Sequence, residues 1–94
     1  MANTIRRAII IVYTQPNCRY CDVAKKYLDA QEQDYSEIDV TKDALAKAYI
    51  VDAGFQTTPI LDIDGELVDG ANLKNIQDAL FGDVFEEGFG DDEE

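Results

Sequence analysis

Apolar residues first gather in a continuous run over residues 8–14, AIIIVYT, which is too dense to alternate and is rich in β-branched side chains. Such a run predicts a strand covered on both faces, and therefore a sheet with helices packed over it. Beyond it the period lengthens. Val23, Ala24, Tyr27 and Leu28 recur at helical spacing, with Asp22, Lys25, Lys26 and Asp29 on the other side, which predicts an amphipathic helix from Arg19 to Gln31. Residues 35–40, YSEIDV, alternate as a half-exposed strand does. Thr41 then offers an N-cap and Asp43 falls in the first turn of a second helix, with Leu45, Ala48 and Tyr49 as its inner stripe and Gly54 as its C-terminal stop. In residues 57–70, TTPILDIDGELVDG, two apolar runs flank Asp64-Gly65, a pair that tolerates the positive φ of a type I′ hairpin turn. Asn72 caps a last helix in which Leu73, Ile76 and Leu80 share one face, and Gly82 ends it.

The element order is β-α-β-α-β-β-α, without internal repeats. A strand, a crossover helix and a second strand pair in parallel through a right-handed connection, and the hairpin adds antiparallel neighbours. The fold class is therefore α/β, a mixed four-stranded sheet with three helices. Ninety-four residues support one hydrophobic core. That core belongs to a domain spanning 1–82, followed by an acidic tail, 83–94, whose composition predicts disorder.

Charge changes the picture of partners. The chain carries 20 acidic and 8 basic residues, a formal net charge of −12, and the last twelve residues contain no base. Phosphate backbones and anionic membranes repel such a surface, so neither nucleic acid nor membrane is an expected partner. Arg6 and Arg7 precede the apolar residues in the manner of a signal peptide, but from Ala8 to Tyr13 these number six, short of the roughly 7–15 of a signal core, and Thr14-Gln15-Pro16-Asn17 stops them without a small-residue cleavage pattern. No stretch approaches the ~20 apolar residues of a membrane span, and a cytoplasmic location, where thiols stay reduced, is expected.

The chemistry concentrates in YTQPNCRYCDVAKKYL, residues 13–28, which holds the only two cysteines of a chain without histidine. A structural zinc takes four tetrahedral ligands, usually Cys and His, so Cys18 and Cys21 make a poor metal site within one chain. A dimer pooling four thiolates around zinc or an iron–sulfur cluster stays open. A stapling disulfide across so short a loop removes little unfolded-state entropy. Two cysteines acting as small buried hydrophobes explain neither the spacing nor the position at a strand-to-helix junction.

Redox chemistry explains both. The thiolate is the attacking species, and a helix N-terminus lowers a cysteine pKa from ~8.5 toward ~3.5–7.5. Cys18 is placed where the first helical N–H groups point outward, with Arg19 adding positive charge, Lys25 and Lys26 further along, and Asp22 opposing them. Cys21, one turn into the helix, is positioned to displace whatever is attached to Cys18. The expected roles are Cys18 as attacking thiolate and Cys21 as resolving thiol.

With these residues in view, residues 8–82 resemble a glutaredoxin. VYTQPNCRYC is similar to that family's strand, short loop and Cys-Pro-Tyr-Cys, with Tyr20 matching its tyrosine, and TTPI, 57–60, resembles its Thr-Val-Pro segment. The resemblance implies the thioredoxin fold, a cis Pro59, and a Thr58 backbone that pairs with the cysteine portion of a bound thiol peptide. It also implies a monomer without bound cofactor, recharged by glutathione and acting on disulfide-containing proteins. Three positions depart from the family: Arg19 replaces the middle proline, Gln15 replaces a common lysine, and Asp69-Gly70 replaces a Gly-Gly pair. Gln15 and Asp69 make capture of glutathione's two carboxylates harder, whereas Arg19 and the helix-start amides of Ala71 and Asn72, which follow Gly70, favour it.

Residues 52–60, DAGFQTTPI, also look like the glutaredoxin-like redoxins that reduce ribonucleotide reductase and are recharged by thioredoxin reductase. That likeness makes ribonucleotide reductase a candidate partner and thioredoxin reductase the alternative electron source. The rival to an enzyme is a redox-inactive acidic module that docks on a basic partner through Phe85 and Phe89 of the tail.

Overall fold

A computed structural model describes residues 8–89. Within it four strands, β1 (Ile10–Thr14), β2 (Ser36–Asp39), β3 (Ile60–Ile63) and β4 (Glu66–Asp69), alternate with helices α1 (Arg19–Ala30), α2 (Ala44–Asp52) and α3 (Leu73–Phe89) in the order β1-α1-β2-α2-β3-β4-α3. The sheet runs β2-β1-β3-β4. β1 pairs in parallel with β2, Val12 opposite Glu37, and antiparallel with β3, Val12 opposite Leu61. β3 and β4 form the hairpin, whose turn residues Asp64 and Gly65 take φ of 54° and 94°, as a type I′ turn requires.

Alternation along the central strands builds two cores. Ile10, Val12, Leu61 and Ile63 point to one face, where Ala24 and Leu28 of α1 and Ile76 and Leu80 of α3 cover them. Tyr13 and Ile60 point to the other, against Ala46 and Ile50 of α2. A β-branched run without polar alternation is the sequence counterpart of a strand sandwiched in this way.

Several boundaries and faces differ from expectation. β1 starts at Ile10, so Ala8 and Ile9 stand outside it. The N-cap of α2 is Asp43, whose carboxylate accepts the Ala46 N–H at 3.0 Å, and not Thr41. Thr41 is held instead by Asp39, which accepts its backbone N–H at 2.8 Å and its hydroxyl at 2.6 Å, an arrangement that stops the helix from starting there. The buried stripe of α2 is Ala46 and Ile50; Tyr49 lies at its edge, 47% exposed but with its ring 6.0 Å from that of buried Tyr13, whereas Leu45, 84% exposed, and Ala48 face solvent. ALAKAYIVD is apolar around nearly its whole circumference, so its periodicity selects no face. Val23 on α1 is likewise exposed, at 39%.

Helix ends show how local chemistry fixes the geometry. α2 closes with Gly54 N–H on the Val51 carbonyl and Phe55 N–H on the Ile50 carbonyl, a Schellman arrangement that needs the φ of +101° at Gly54. Asn72 caps α3 by accepting the Lys74 N–H at 3.0 Å. α3 does not stop at Gly82 but continues to Phe89, since one glycine inside a helix costs only about 1 kcal/mol and is not a stop by itself. The side chains of Phe85 and Phe89, residues 90–94 and the N-terminal Arg6 and Arg7 lie outside the described residues. Among the described residues no helix is long and apolar enough to cross a membrane.

Candidate active site

β1 ends at Thr14 and delivers a three-residue loop, Gln15 to Asn17, onto the N-terminus of α1. Asn17 turns the chain with φ of 61°, a left-handed conformation that asparagine tolerates better than most residues. Cys18 then occupies the N-cap of α1 in extended conformation, φ −108° and ψ 103°. Its Sγ accepts the Cys21 N–H at 3.1 Å, so a sulfur stands where a Ser or Asp oxygen ordinarily caps a helix. Cys18 and Cys21 are joined by a disulfide. The two sulfurs differ in access, because Cys18 is half-buried at the surface and Cys21 is 1% exposed beneath it.

The second wall is the segment before β3. The Thr58–Pro59 peptide is cis, Pro59 is fully buried, and the Thr58 hydroxyl lies 3.5 Å from Cys18 Sγ. Gly70, at the end of the hairpin, supports this segment from behind: its N–H donates to the Pro59 carbonyl at 2.9 Å. A Cβ built on Gly70 would overlap Leu61 Cδ1 and stand 3.3 Å from the Pro59 ring, so the position accepts glycine for reasons of space.

The remaining expected site residues divide between reach and occupancy. Arg19 and Tyr20 are exposed beside Cys18, Tyr20 at 58%. The Ala71 amide is already engaged, donating to the Asp69 carboxylate at 2.9 Å, and Asn72 uses its side chain on Lys74. On the flank of Cys18 opposite Pro59, an open groove of about 720 Å³ is lined by Gln15, Arg19, Asp22, Lys25, Glu37 and Asp39 among others. Lys25 is bound there to Glu37 at 3.0 Å and lies 3.8 Å from Asp22. The hydrogen bond to Glu37 raises the Lys25 pKa above its ordinary value, against a smaller opposing effect of burial. Its positive charge is thus matched by carboxylates instead of being directed at Cys18, as the sequence alone suggests. On β2, Asp39 is held below the usual carboxylate range by its bonds from Thr41.

Sequence reasoning missed three contributions here: the Thr58 hydroxyl on sulfur, the Asp69 carboxylate on the Ala71 amide, and Gly70 as the prop of Pro59. The second carries a local signal, since an Asp two residues before the amide it accepts is an Asx turn. The first joins residues forty positions apart and carries none.

This arrangement of an accessible capping sulfur, a buried second sulfur and an adjoining cis-proline segment suits disulfide exchange, and comparisons with known proteins agree. The glutaredoxin family model matches residues 10–68. Glutaredoxin 1 of Rickettsia conorii is 39% identical over 82 residues, covering 84% of this chain and 74% of that protein. The gene 56 protein of Mycobacterium phage D29 is 42% identical over 43 residues, 46% of this chain, and the match spans only about half of that relative, 48%. The glutaredoxin-like protein NrdH of Lactococcus lactis subsp. cremoris is 27% identical over 56 residues, 60% of this chain and 78% of that protein. The crystal structure of the thioredoxin-like protein BC3987 superposes with a TM-score of 0.68 at 40% identity, covering 76% of this chain and 99% of that one. With its thioredoxin fold and its Cys18-x-x-Cys21 pair, the chain belongs to the glutaredoxin family of thiol–disulfide oxidoreductases.

Proposed function

We propose that this protein is a dithiol donor that reduces disulfides in other proteins and is itself recharged by a thioredoxin reductase in preference to glutathione. The single observation that carries the dithiol reading is the Cys18–Cys21 disulfide, with one sulfur accessible at a helix N-terminus and the other buried beneath it. The Cys18 thiolate attacks one sulfur of the substrate disulfide. A Cys18–substrate bond forms, the substrate's own S–S bond breaks, and the departing sulfur leaves with the electron pair as a thiolate. Cys21, as thiolate, then attacks Cys18, closing the intramolecular disulfide and releasing the second substrate sulfur. Two electrons have passed to the substrate, and an external two-electron donor must restore the dithiol. Arg19 and Tyr20 border the approach, while the Thr58 backbone pairs with the bound substrate and Pro59 fixes that segment.

Choice of donor turns on carboxylates. Glutathione brings two, and the helix-start amide of Ala71 that suits one of them already holds Asp69, a negative charge at that spot. Gln15 supplies no compensating cation, and of Arg19 and Lys25, which line the groove beside Cys18, Lys25 is already bound to Glu37. A protein donor that engages Cys18 and the Thr58 backbone needs neither carboxylate contact. The likeness of residues 52–60 to redoxins that serve ribonucleotide reductase, together with the NrdH match, supports that enzyme's disulfide as substrate. Turnover of a protein disulfide is to be measured with NADPH and either thioredoxin reductase or glutathione with glutathione reductase. The expected result is faster turnover with thioredoxin reductase and loss of turnover in Cys18→Ser; full activity of Cys18→Ser ends the proposal, and faster turnover with glutathione reverses the donor assignment.

A further inference from the structure

The Thr58 hydroxyl has no part in the exchange described so far, yet it lies 3.5 Å from Cys18 Sγ. Only the backbone of Thr58 is needed to pair with a substrate. The side chain approaches from a different element than the helix does: Cys21 N–H reaches the sulfur from α1 at 3.1 Å, and Thr58 reaches it from the segment anchored by buried Pro59. The sulfur of a disulfide is a weak acceptor, whereas a thiolate is an anion that strengthens every donor aimed at it. A donor fixed in the oxidised protein at this position therefore gains most when Cys18 is reduced and deprotonated.

We propose that the Thr58 hydroxyl donates to the Cys18 thiolate and, with the Cys21 amide, sets the reactivity of the attacking sulfur. The proposal rests on the reading of Cys18 as that sulfur. Its consequence follows from which form the bond favours. When Cys18 joins a substrate sulfur, the substrate S–S bond breaks and the electron pair leaves with the other sulfur, so the hydroxyl's acceptor passes from anion to neutral. Thr58 thus stabilises the thiolate relative to the thiol, the mixed disulfide and the internal disulfide alike. It makes Cys18 more acidic and the protein a weaker reductant than its helix terminus alone would.

Thr58→Val keeps the branched shape and removes the donor, and Thr58→Ser keeps the donor. The rate of alkylation of Cys18 against pH, mapped to residue 18 by peptide mass, reads the thiolate directly in the reduced full-length protein. The midpoint is expected to rise by about 0.5–1 unit in Thr58→Val and to stay within about 0.2 unit in Thr58→Ser, since hydrogen bonding to the charged form is what lowers such a value. At a pH above both midpoints this three- to tenfold change makes the valine variant more reducing by roughly 15–30 mV, at about 30 mV per tenfold change. An unchanged midpoint in Thr58→Val, or a serine variant shifted as far as the valine one, overturns the proposal. Should the valine variant misfold, Thr58→Ser against Thr58→Ala, which differ only in the hydroxyl, decides the matter by the same shift. Retained turnover in Cys18→Ser would instead defeat the exchange mechanism, a result the alkylation midpoints do not depend on.

Discussion

Replacing Asp69 should open the protein to glutathione, and two substitutions separate the two reasons. The Asp69 carboxylate accepts the Ala71 N–H at 2.9 Å from a half-buried position at the end of β4. A glutathione carboxylate arriving at the start of α3 meets a like charge and finds the amide taken. Two unit charges about 4 Å apart repel by about 1 kcal/mol at the dielectric of water, the fitting limit for so solvated a rim. An amide freed to bind a carboxylate contributes about 1.5 kcal/mol, the lower bound for a hydrogen bond to a charged group. Asp69→Asn removes the charge but keeps an acceptor on Ala71, so the KM for a glutathione mixed disulfide should fall roughly fivefold. Asp69→Ala removes both, and the fall should approach roughly 70-fold where the two effects, about 2.5 kcal/mol together, add. The assay is NADPH consumption with glutathione and glutathione reductase over a range of mixed-disulfide concentrations. Turnover driven by thioredoxin reductase serves as the control and should change less than twofold. Unchanged KM in both variants, with folding intact, would refute the idea that this carboxylate guards the helix terminus.

Further outcomes follow from packing and charge. Gly70→Ala should destabilise the protein by about 1–3 kcal/mol and slow turnover, because the new methyl presses on Leu61 and on the Pro59 segment; chemical denaturation and steady-state rates check both. Ile50→Ala should cost about 2–5 kcal/mol and Leu45→Ala less than about 0.5 kcal/mol, a contrast in denaturation midpoints that tests which face of α2 is inside. Lys25→Met should lower stability by at most about 1 kcal/mol near neutral pH, given that Glu37 is partly exposed. Because folding raises the Lys25 pKa, that contribution is fully present below the unfolded value of 10.5 and is lost as pH rises through the higher folded value, so the variant and the parent should converge only at strongly alkaline pH.

How far the sequence exposes this molecule depends on whether a signal is local and one-sided. β1 and the Asp64-Gly65 hairpin are legible because a two-sided strand and a positive-φ turn each demand particular residues. The α1 face is legible at Ala24 and Leu28, which have charged residues opposite. α2 conceals its inner face, since Leu45, Ala48 and Tyr49 are as apolar as the Ala46 and Ile50 that are buried, and only the sheet chooses between them. Thr41 and Asp43 are both sound caps; Asp39 decides by engaging the threonine first. Gly82 misleads because a glycine ends a helix only where a left-handed turn follows, as at Gly54. The cysteine pair is plain from spacing alone. Its surroundings are not, because Thr58, Pro59 and Gly70 come together only when β3 and β4 align beside β1.

The proposed division of labour between the two sulfurs is tested most directly by Cys21→Ser, which takes away the proposed resolving thiol and leaves Cys18 as the lone thiol. Incubated with a protein disulfide and digested without reductant, the variant should accumulate a mixed disulfide whose substrate peptide is attached at residue 18. A variant that turns over like the parent and yields no adduct at Cys18 would contradict the account.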